Sequence, residues 1–224
     1  MNEVVQPQST VKDRRIIRDF VDARLADCMG VMADYPDGYF DLAIVDPPYG
    51  IGDKFKGGKN GKMQFNEVVD KGWDVAPPPE YFTELRRVSR EQIIWGGNYF
   101  SLRPSRCWIV WDKQISEDFS LAMAELAWVS RDGLAKIVKM STPKGGKIHP
   151  TQKPVRLYDW ILKNYAKPGH RILDTHMGSG SIGIACHYFG CPLVACEIDA
   201  DYFSEACNRI HRETAQASWS FCDN

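Results

Sequence analysis

The chain has 224 residues, 44% of them hydrophobic and 25% charged, with 28 Lys and Arg set against 29 Asp and Glu. That length and balance fit one large globular domain and exclude a disordered or low-complexity chain. A formal net charge of −1 excludes a globally basic nucleic-acid binder, so any such contact has to come from local patches. Seven cysteines, an odd number without a small-scaffold pattern, read as reduced thiols of a cytosolic protein. No apolar run reaches membrane-spanning length and the start MNEVVQPQST lacks the apolar core of a signal peptide, so the expected location is cytoplasmic, with no membrane partner.

Short apolar, β-branched runs alternate with helical stretches. In chain order the reading predicts a strand at Ala23–Ala26, a helix at Met29–Tyr35, a strand at Phe40–Val45, a helix at Pro79–Ser89 and strands at Gln92–Trp95 and Cys107–Trp111. A helix at Leu121–Val129, a strand at Leu134–Lys139 and a helix at Pro154–Tyr165 follow. The chain then closes with strand Arg171–Leu173, helix Ser181–Phe189, strand Pro192–Cys196 and helix Tyr202–Arg212. The alternation predicts a single α/β domain with a mainly parallel, seven-stranded sheet and helices on both faces. Residues 1–15 and 214–224 read as loosely held ends. Residues 51–79 read as a mobile basic loop, and the stretches 112–120 and 140–153 as polar, basic loops.

Two segments carry chemistry. AIVDPPYG, residues 43–50, ends a buried strand on Asp46, Pro47, Pro48 and Tyr49. The prolines remove backbone donors and fix φ, so the turn is stiff and its carbonyls are free. RILDTHMGSGSIGIACHYFG, residues 171–190, reads as strand, glycine-rich turn and helix, and Gly178, Gly180 and Gly183 spell G-x-G-x-x-G. Glu197 ends the next strand, where an acid meets ribose hydroxyls. A nicotinamide site would need further strands, yet only 44 residues follow Gly180. The glycine turn therefore opens a nucleotide site that the N-terminal half completes, and both motifs share one crevice at the carboxyl ends of parallel strands.

These motifs resemble the amino-methyltransferases that use S-adenosylmethionine to methylate exocyclic amines of DNA bases, in the permuted group with the catalytic motif first (the beta class). The group's D-P-P-Y is Asp46–Tyr49 and its D-x-F-x-G-x-G is Asp174–Gly180. HPTQKPVRL (149–157) lies between them, as the family has it. The resemblance covers about residues 20–212 and implies a Rossmann-like fold with circularly permuted motif order. It implies that Asp46, Pro47, Pro48 and Tyr49 form the catalytic turn, with Asp46 and the Pro47 carbonyl accepting from adenine N6 and Tyr49 stacking on a flipped base. For the cofactor it implies Glu197 on the ribose, Ile198 on the cofactor's adenine face, and Asp27 and Cys28 at that adenine's edge. Asp174, Gly178, Gly180 and Ser181 surround the methionine portion, with Thr151 and Lys153 nearby. His176 stands where the family has Phe, which alters the packing of that loop.

DNA contact is expected from Lys54, Lys56, Lys59 and Lys62, which interleave with glycines after DPPYG. Asn98 is expected to line the base pocket, and Lys144 and Lys147 fall in a short target-recognition segment at 112–149. So short a reader implies a short or relaxed target, unless a homodimer adds a second one. Cys186, Cys191 and Cys196 lack the close pairing of zinc sites, so no metal is expected. The expected activity is DNA adenine-N6 methylation. RNA adenine-N6 methylation, DNA cytosine-N4 methylation and a non-catalytic nucleic-acid-binding partner subunit stand as alternatives.

Overall fold

The computed structural model describes residues 14–18, 20–51, 74–116, 122–142, 148–149 and 151–215. Its strands are β1 (Arg14–Arg18), β2 (Val21–Leu25), β3 (Phe40–Val45), β4 (Ser89–Trp95), β5 (Trp108–Asp112), β6 (Ala124–Val129), β7 (Lys136–Lys139), β8 (Ile172–Asp174) and β9 (Leu193–Glu197). The helices are α1 (Cys28–Ala33), α2 (Pro79–Val88), α3 (Val155–Tyr165), α4 (Ser181–Phe189) and α5 (Ala200–Ala215), with a 3-10 turn at Gly97–Tyr99. One sheet runs β1-β2-β9-β8-β3-β4-β6-β5-β7.

The central strands are apolar on both faces because helices cover both. Leu42, Ile44, Ile93, Trp95 and Ile172 pack with side chains of α3, α4 and α5. Their neighbours Ala43, Val45, Ile94 and Leu173 point the other way, against Met32 of α1 and Tyr81, Phe82 and Leu85 of α2. Each fully buried Leu, Ile or Phe contributes about 1.5–3 kcal/mol. The sheet centre thus holds the fold and leaves its edge free to carry charged groups.

β2, β9, β8, β3 and β4 are mutually parallel, so their carboxyl ends lie along one edge. β6 runs antiparallel to β4 and β5, so its first residues arrive at that same edge. β5 and β7 are parallel.

Two expectations change. Among the described residues the sheet has nine strands where seven were expected; β1–β2, β4–β6 and β5–β6 pair antiparallel, and the other five pairings are parallel. The stretch expected as helix Leu121–Val129 is strand β6. Its Ala, Glu and Leu favour a helix, but Ala127 and Val129 pack on one face of the sheet and Trp128 on the other. Pairing on both sides thus overrides local propensity. Within the termini expected to be loose, Arg14–Arg18 pairs along β2 and α5 runs through Ala215. None of the helices among the described residues is long and apolar enough to cross a membrane.

Candidate active site

The Asp46–Tyr49 turn leaves β3 at Val45 and is clamped from outside its own sequence. The Asp74 carboxylate accepts from three successive backbone amides, Tyr49 N and Gly50 N at 2.9 Å and Ile51 N at 2.8 Å. Gly50 has φ +69°, a conformation that costs glycine little and lets these amides converge on one anion. The Tyr49 hydroxyl donates to Asp46 Oδ1 at 2.8 Å. Its ring stacks on Tyr99, centroids 5.1 Å apart and planes 20° apart, and meets Phe100 edge-on. Gly96 (φ +66°) makes room for that ring: a Cβ there would lie 2.2 Å from Tyr49 Cε1. Burial, then the Asp46 charge, pushes the Tyr49 phenol well above its usual range.

A line of alternating charge runs from this turn into the sheet edge. Lys153 Nζ donates to Asp46 Oδ2 and pairs with Glu125 Oε2 at 3.1 Å. Lys113 Nζ sits 2.6 Å from Glu125 Oε1. Lys153 is 1% exposed, and its ammonium lies 5.0 Å from the Trp95 ring centroid. Burial alone would lower the Lys153 pKa, but Asp46 and Glu125 together outweigh it and leave it raised. Burial likewise works against the Glu125 carboxylate, and Lys153 and Lys113 reverse it, leaving it lowered. Nothing in the sequence motifs marks Glu125, Lys113 or Asp74. They come to this edge only because β6 turns back towards it and because the chain returns at Asp74 before α2.

The glycine turn joins β8 to α4 at the same edge. Glu197, ending β9, accepts from Gly178 N at 2.9 Å and from Ile198 N and Asp199 N at 2.9 and 3.0 Å, so it ties the two turns together. Asp174 is 3% exposed and accepts from His176 N at 3.0 Å. Burial pushes it up to about 8, with Asp46 and Glu197 adding to the rise. Asp174 therefore feels the charge of both neighbouring carboxylates. Gly180 adopts φ +69° at the start of α4.

Ser181 is buried and acts as a strut. Its hydroxyl donates to the Lys153 carbonyl at 2.8 Å and accepts from Arg209 Nη1 at 2.9 Å. His176 Nδ1 is 2.9 Å from Thr175 Oγ1, which is 2.6 Å from Tyr81 Oη. Burial holds the His176 ring neutral, lowered to about 4.

Asp27 caps α1, with Oδ1 accepting from Met29 N and Gly30 N at 2.9 and 3.4 Å. Cys28 opens that helix, and burial pushes its thiol up to about 11, so it is a weak donor and not a thiolate. Thr151 Oγ1 lies 3.0 Å from His149 Nδ1. The His149 ring packs on Tyr202 at 4.5 Å and flanks Gly178. Asn98 is exposed beside Tyr99. Lys54, Lys56, Lys59, Lys62, Lys144 and Lys147 lie outside the described residues. No group of three or more His, Cys, Asp and Glu among the described residues could hold a metal ion. A concavity of about 390 Å³ lined by Phe20, Tyr39, Arg171 and Pro192 lies at the opposite ends of these strands, away from both motifs.

Residues 104–208 match the family model described as DNA methylase, a span from β5 into α5. A protein of Escherichia coli (strain K12) described as a methylase, YubD, is 24% identical over 204 residues, covering 82% of this chain and 87% of its own. Over residues 104–208, just under half of its length, the chain is similar to the DNA methylases. The crystal structure of the M1.HpyAVI–SAM complex has a TM-score of 0.57 at 19% identity, over 85% of this chain and 98% of that one. PvuII DNA methyltransferase, cytosine-N4-specific, has a TM-score of 0.57 at 11% identity, over 87% and 90%. The nine-stranded sheet is thus a methyltransferase fold, and the match extends beyond the glycine turn to almost the whole described chain.

The donor set at this edge suits a nucleoside carrying an amino-acid tail. Glu197 is a carboxylate with lone-pair capacity left after three amide bonds, and Ile198 beside it is 73% exposed. The glycine turn opens helix α4, and Asp174 offers a buried acid at its base.

Proposed function

We propose that this chain is an S-adenosylmethionine-dependent DNA methyltransferase acting on the N6 amine of adenine in a flipped-out base. The observation that carries the reading is the rigid Asp46-Pro47-Pro48-Tyr49 turn, set on the same sheet edge as Glu197 and the glycine turn. The cofactor, when bound, supplies an electrophilic sulfonium methyl. Glu197, Ile198, Asp27 and Cys28 would hold its nucleoside. Asp174, His176, Gly178, Gly180 and Thr151 would line its amino-acid end.

The amine of adenine is a weak nucleophile because its lone pair is delocalised into the ring. Asp46 and the Pro47 carbonyl accept its two N–H groups, draw the nitrogen towards tetrahedral geometry and free the lone pair. Asp46 has lone pairs left for this beyond the bonds from Tyr49 and Lys153. Tyr49 offers its face to the base, and the base takes the place that Tyr99 fills on that ring. Lys153 is held by Asp46, Glu125 and Trp95, so its role lies on the catalytic carboxylate and not on the cofactor tail. Lys54, Lys56, Lys59, Lys62, Lys144, Lys147 and Asn98 are assigned to DNA contact, mostly to phosphates, which position without reading sequence. The target is accordingly short or relaxed.

Cytosine-N4 methylation is the second reading, favoured by the likeness to the PvuII enzyme. The test of the nucleic-acid class is methyl transfer from labelled cofactor to matched DNA and RNA oligonucleotides. Transfer to DNA at a far greater rate supports the proposal, and preference for RNA overturns it.

A further inference from the structure

The line Lys113–Glu125–Lys153 is wired into the carboxylate that the proposed chemistry uses, and no motif contains Lys113 or Glu125. We infer that Glu125, backed by Lys113, is a positioning residue that acts through Lys153 to set how strongly Asp46 accepts the substrate amine. This inference rests on the reading of Asp46 given above.

Each member of the line has its own partner. Lys153 Nζ donates to Asp46 Oδ2, forms an ion pair with Glu125 Oε2 at 3.1 Å and lies over the Trp95 ring. Glu125 spends one oxygen on Lys153 and the other on Lys113. The ammonium is therefore divided between two carboxylates. A buried cation with only one counter-ion draws on it fully, because a low-dielectric site strengthens every charge interaction. With Glu125 present, Asp46 gives up only part of its charge to Lys153 and keeps the rest for an incoming N–H. With Glu125 neutralised, Lys153 pulls on Asp46 alone, and the acceptor on which the amine depends is weakened.

Lys113 has the opposite leverage. It holds Glu125 in place and limits how much of Lys153 that carboxylate can take. Glu125 is far along the sheet from Glu197: β8, β3 and β4 lie between β9, which Glu197 ends, and β6. Its effect should therefore fall on the methyl-transfer step and not on cofactor binding.

The test is steady-state methyl transfer by Glu125→Gln, which keeps the size and removes the charge. The expected result is a kcat between about ten- and a hundredfold lower, the range for a misplaced reacting group. KM for DNA and cofactor Kd stay within about twofold of wild type. Glu125→Asp, which restores the charge, should recover part of the lost kcat. Lys113→Met should give a smaller fall in the same parameter. In Lys153→Met the line is already cut, so adding Glu125→Gln should slow the enzyme no further. Wild-type kcat in Glu125→Gln, or additive losses in the double variant, would overturn the inference while leaving the function intact. A wild-type enzyme that transfers no methyl to DNA would remove both.

Discussion

Lys153 and Asp46 are 107 residues apart in sequence and share a charge-assisted hydrogen bond at the carboxyl edge of the sheet. The bond joins the segment before α3 to the catalytic turn, and Ser181 fastens the same Lys153 backbone to the start of α4. One residue thus links the turn that would hold the base to the turn that would hold the cofactor. Lys153→Met would leave Asp46 and Glu125 without their shared cation. The expected loss is about 3 kcal/mol of stability, at the lower end for breaking a buried pair because both carboxylates keep some solvent contact. Urea unfolding measures it, and an unchanged midpoint would mean that water replaces the ammonium at no cost.

Asp174 predicts a pH dependence with a definite sign. Its folded-state value of about 8 lies far above the ordinary 3.8, so between those limits the folded chain keeps a proton that the unfolded chain has lost. Stability from this group is therefore greatest at low pH and declines as pH rises towards 8. A cationic amino group docking on Asp174 would expel that proton. Cofactor affinity should then rise with pH by up to about tenfold per unit until pH 8 and flatten above it. Calorimetry in buffers of different ionisation enthalpy reads the proton directly, and Asp174→Asn should release none.

Asp74 holds the catalytic turn by three amide hydrogen bonds, so Asp74→Ala should lower stability by about 2 kcal/mol, within the range for hydrogen bonds to a charged group. Methyl transfer should drop more steeply than cofactor affinity, because Asp74 touches only the turn. Asp74→Asn keeps one acceptor oxygen and should fall between wild type and the alanine variant. Equal activity in all three would show that the prolines alone keep the turn stiff.

Gly96→Ala asks two things of the site at once. An L side chain at φ +66° is strained by about 1 kcal/mol, and the new methyl would overlap the Tyr49 ring. Tyr49 must leave Asp46 and Tyr99 for the variant to fold. Transfer should collapse while cofactor binding persists, which parallel calorimetry and activity assays would separate.

Much of this was legible in the sequence, for reasons that differ by residue. Strand Phe40–Val45 and helix Ser181–Phe189 have the bounds expected of them, because a short, mostly apolar run and a glycine at each helix end are local signals. β6 was not legible, since AELAWV has the composition of a helix and becomes a strand only through pairing with β4 and β5. β1 was hidden because RRIIR is too charged to read as a strand until Arg15 finds Asp22 on β2. The site divides the same way. Asp46, Asp174, the glycines and Glu197 stand in motifs, and the fold brings them to one edge. Asp74, Glu125 and Lys113 are ordinary acids and a lysine in sequence, and only tertiary placement gives them a partner. Ser181 and Asp27 were expected to face the cofactor. The Ser181 hydroxyl is engaged by Lys153 and Arg209, and one oxygen of Asp27 by the amides of α1.

The proposal that Asp46 acts on adenine is tested most directly by nucleoside analysis. Unmethylated genomic DNA is incubated with labelled cofactor and either wild-type protein or Asp46→Ala, then digested and resolved by chromatography and mass spectrometry. The account predicts label in N6-methyladenine with the wild type and none with Asp46→Ala, whose cofactor affinity stays within about threefold. Label in N4-methylcytosine, or transfer that survives the loss of the Asp46 carboxylate in a folded protein, would contradict it.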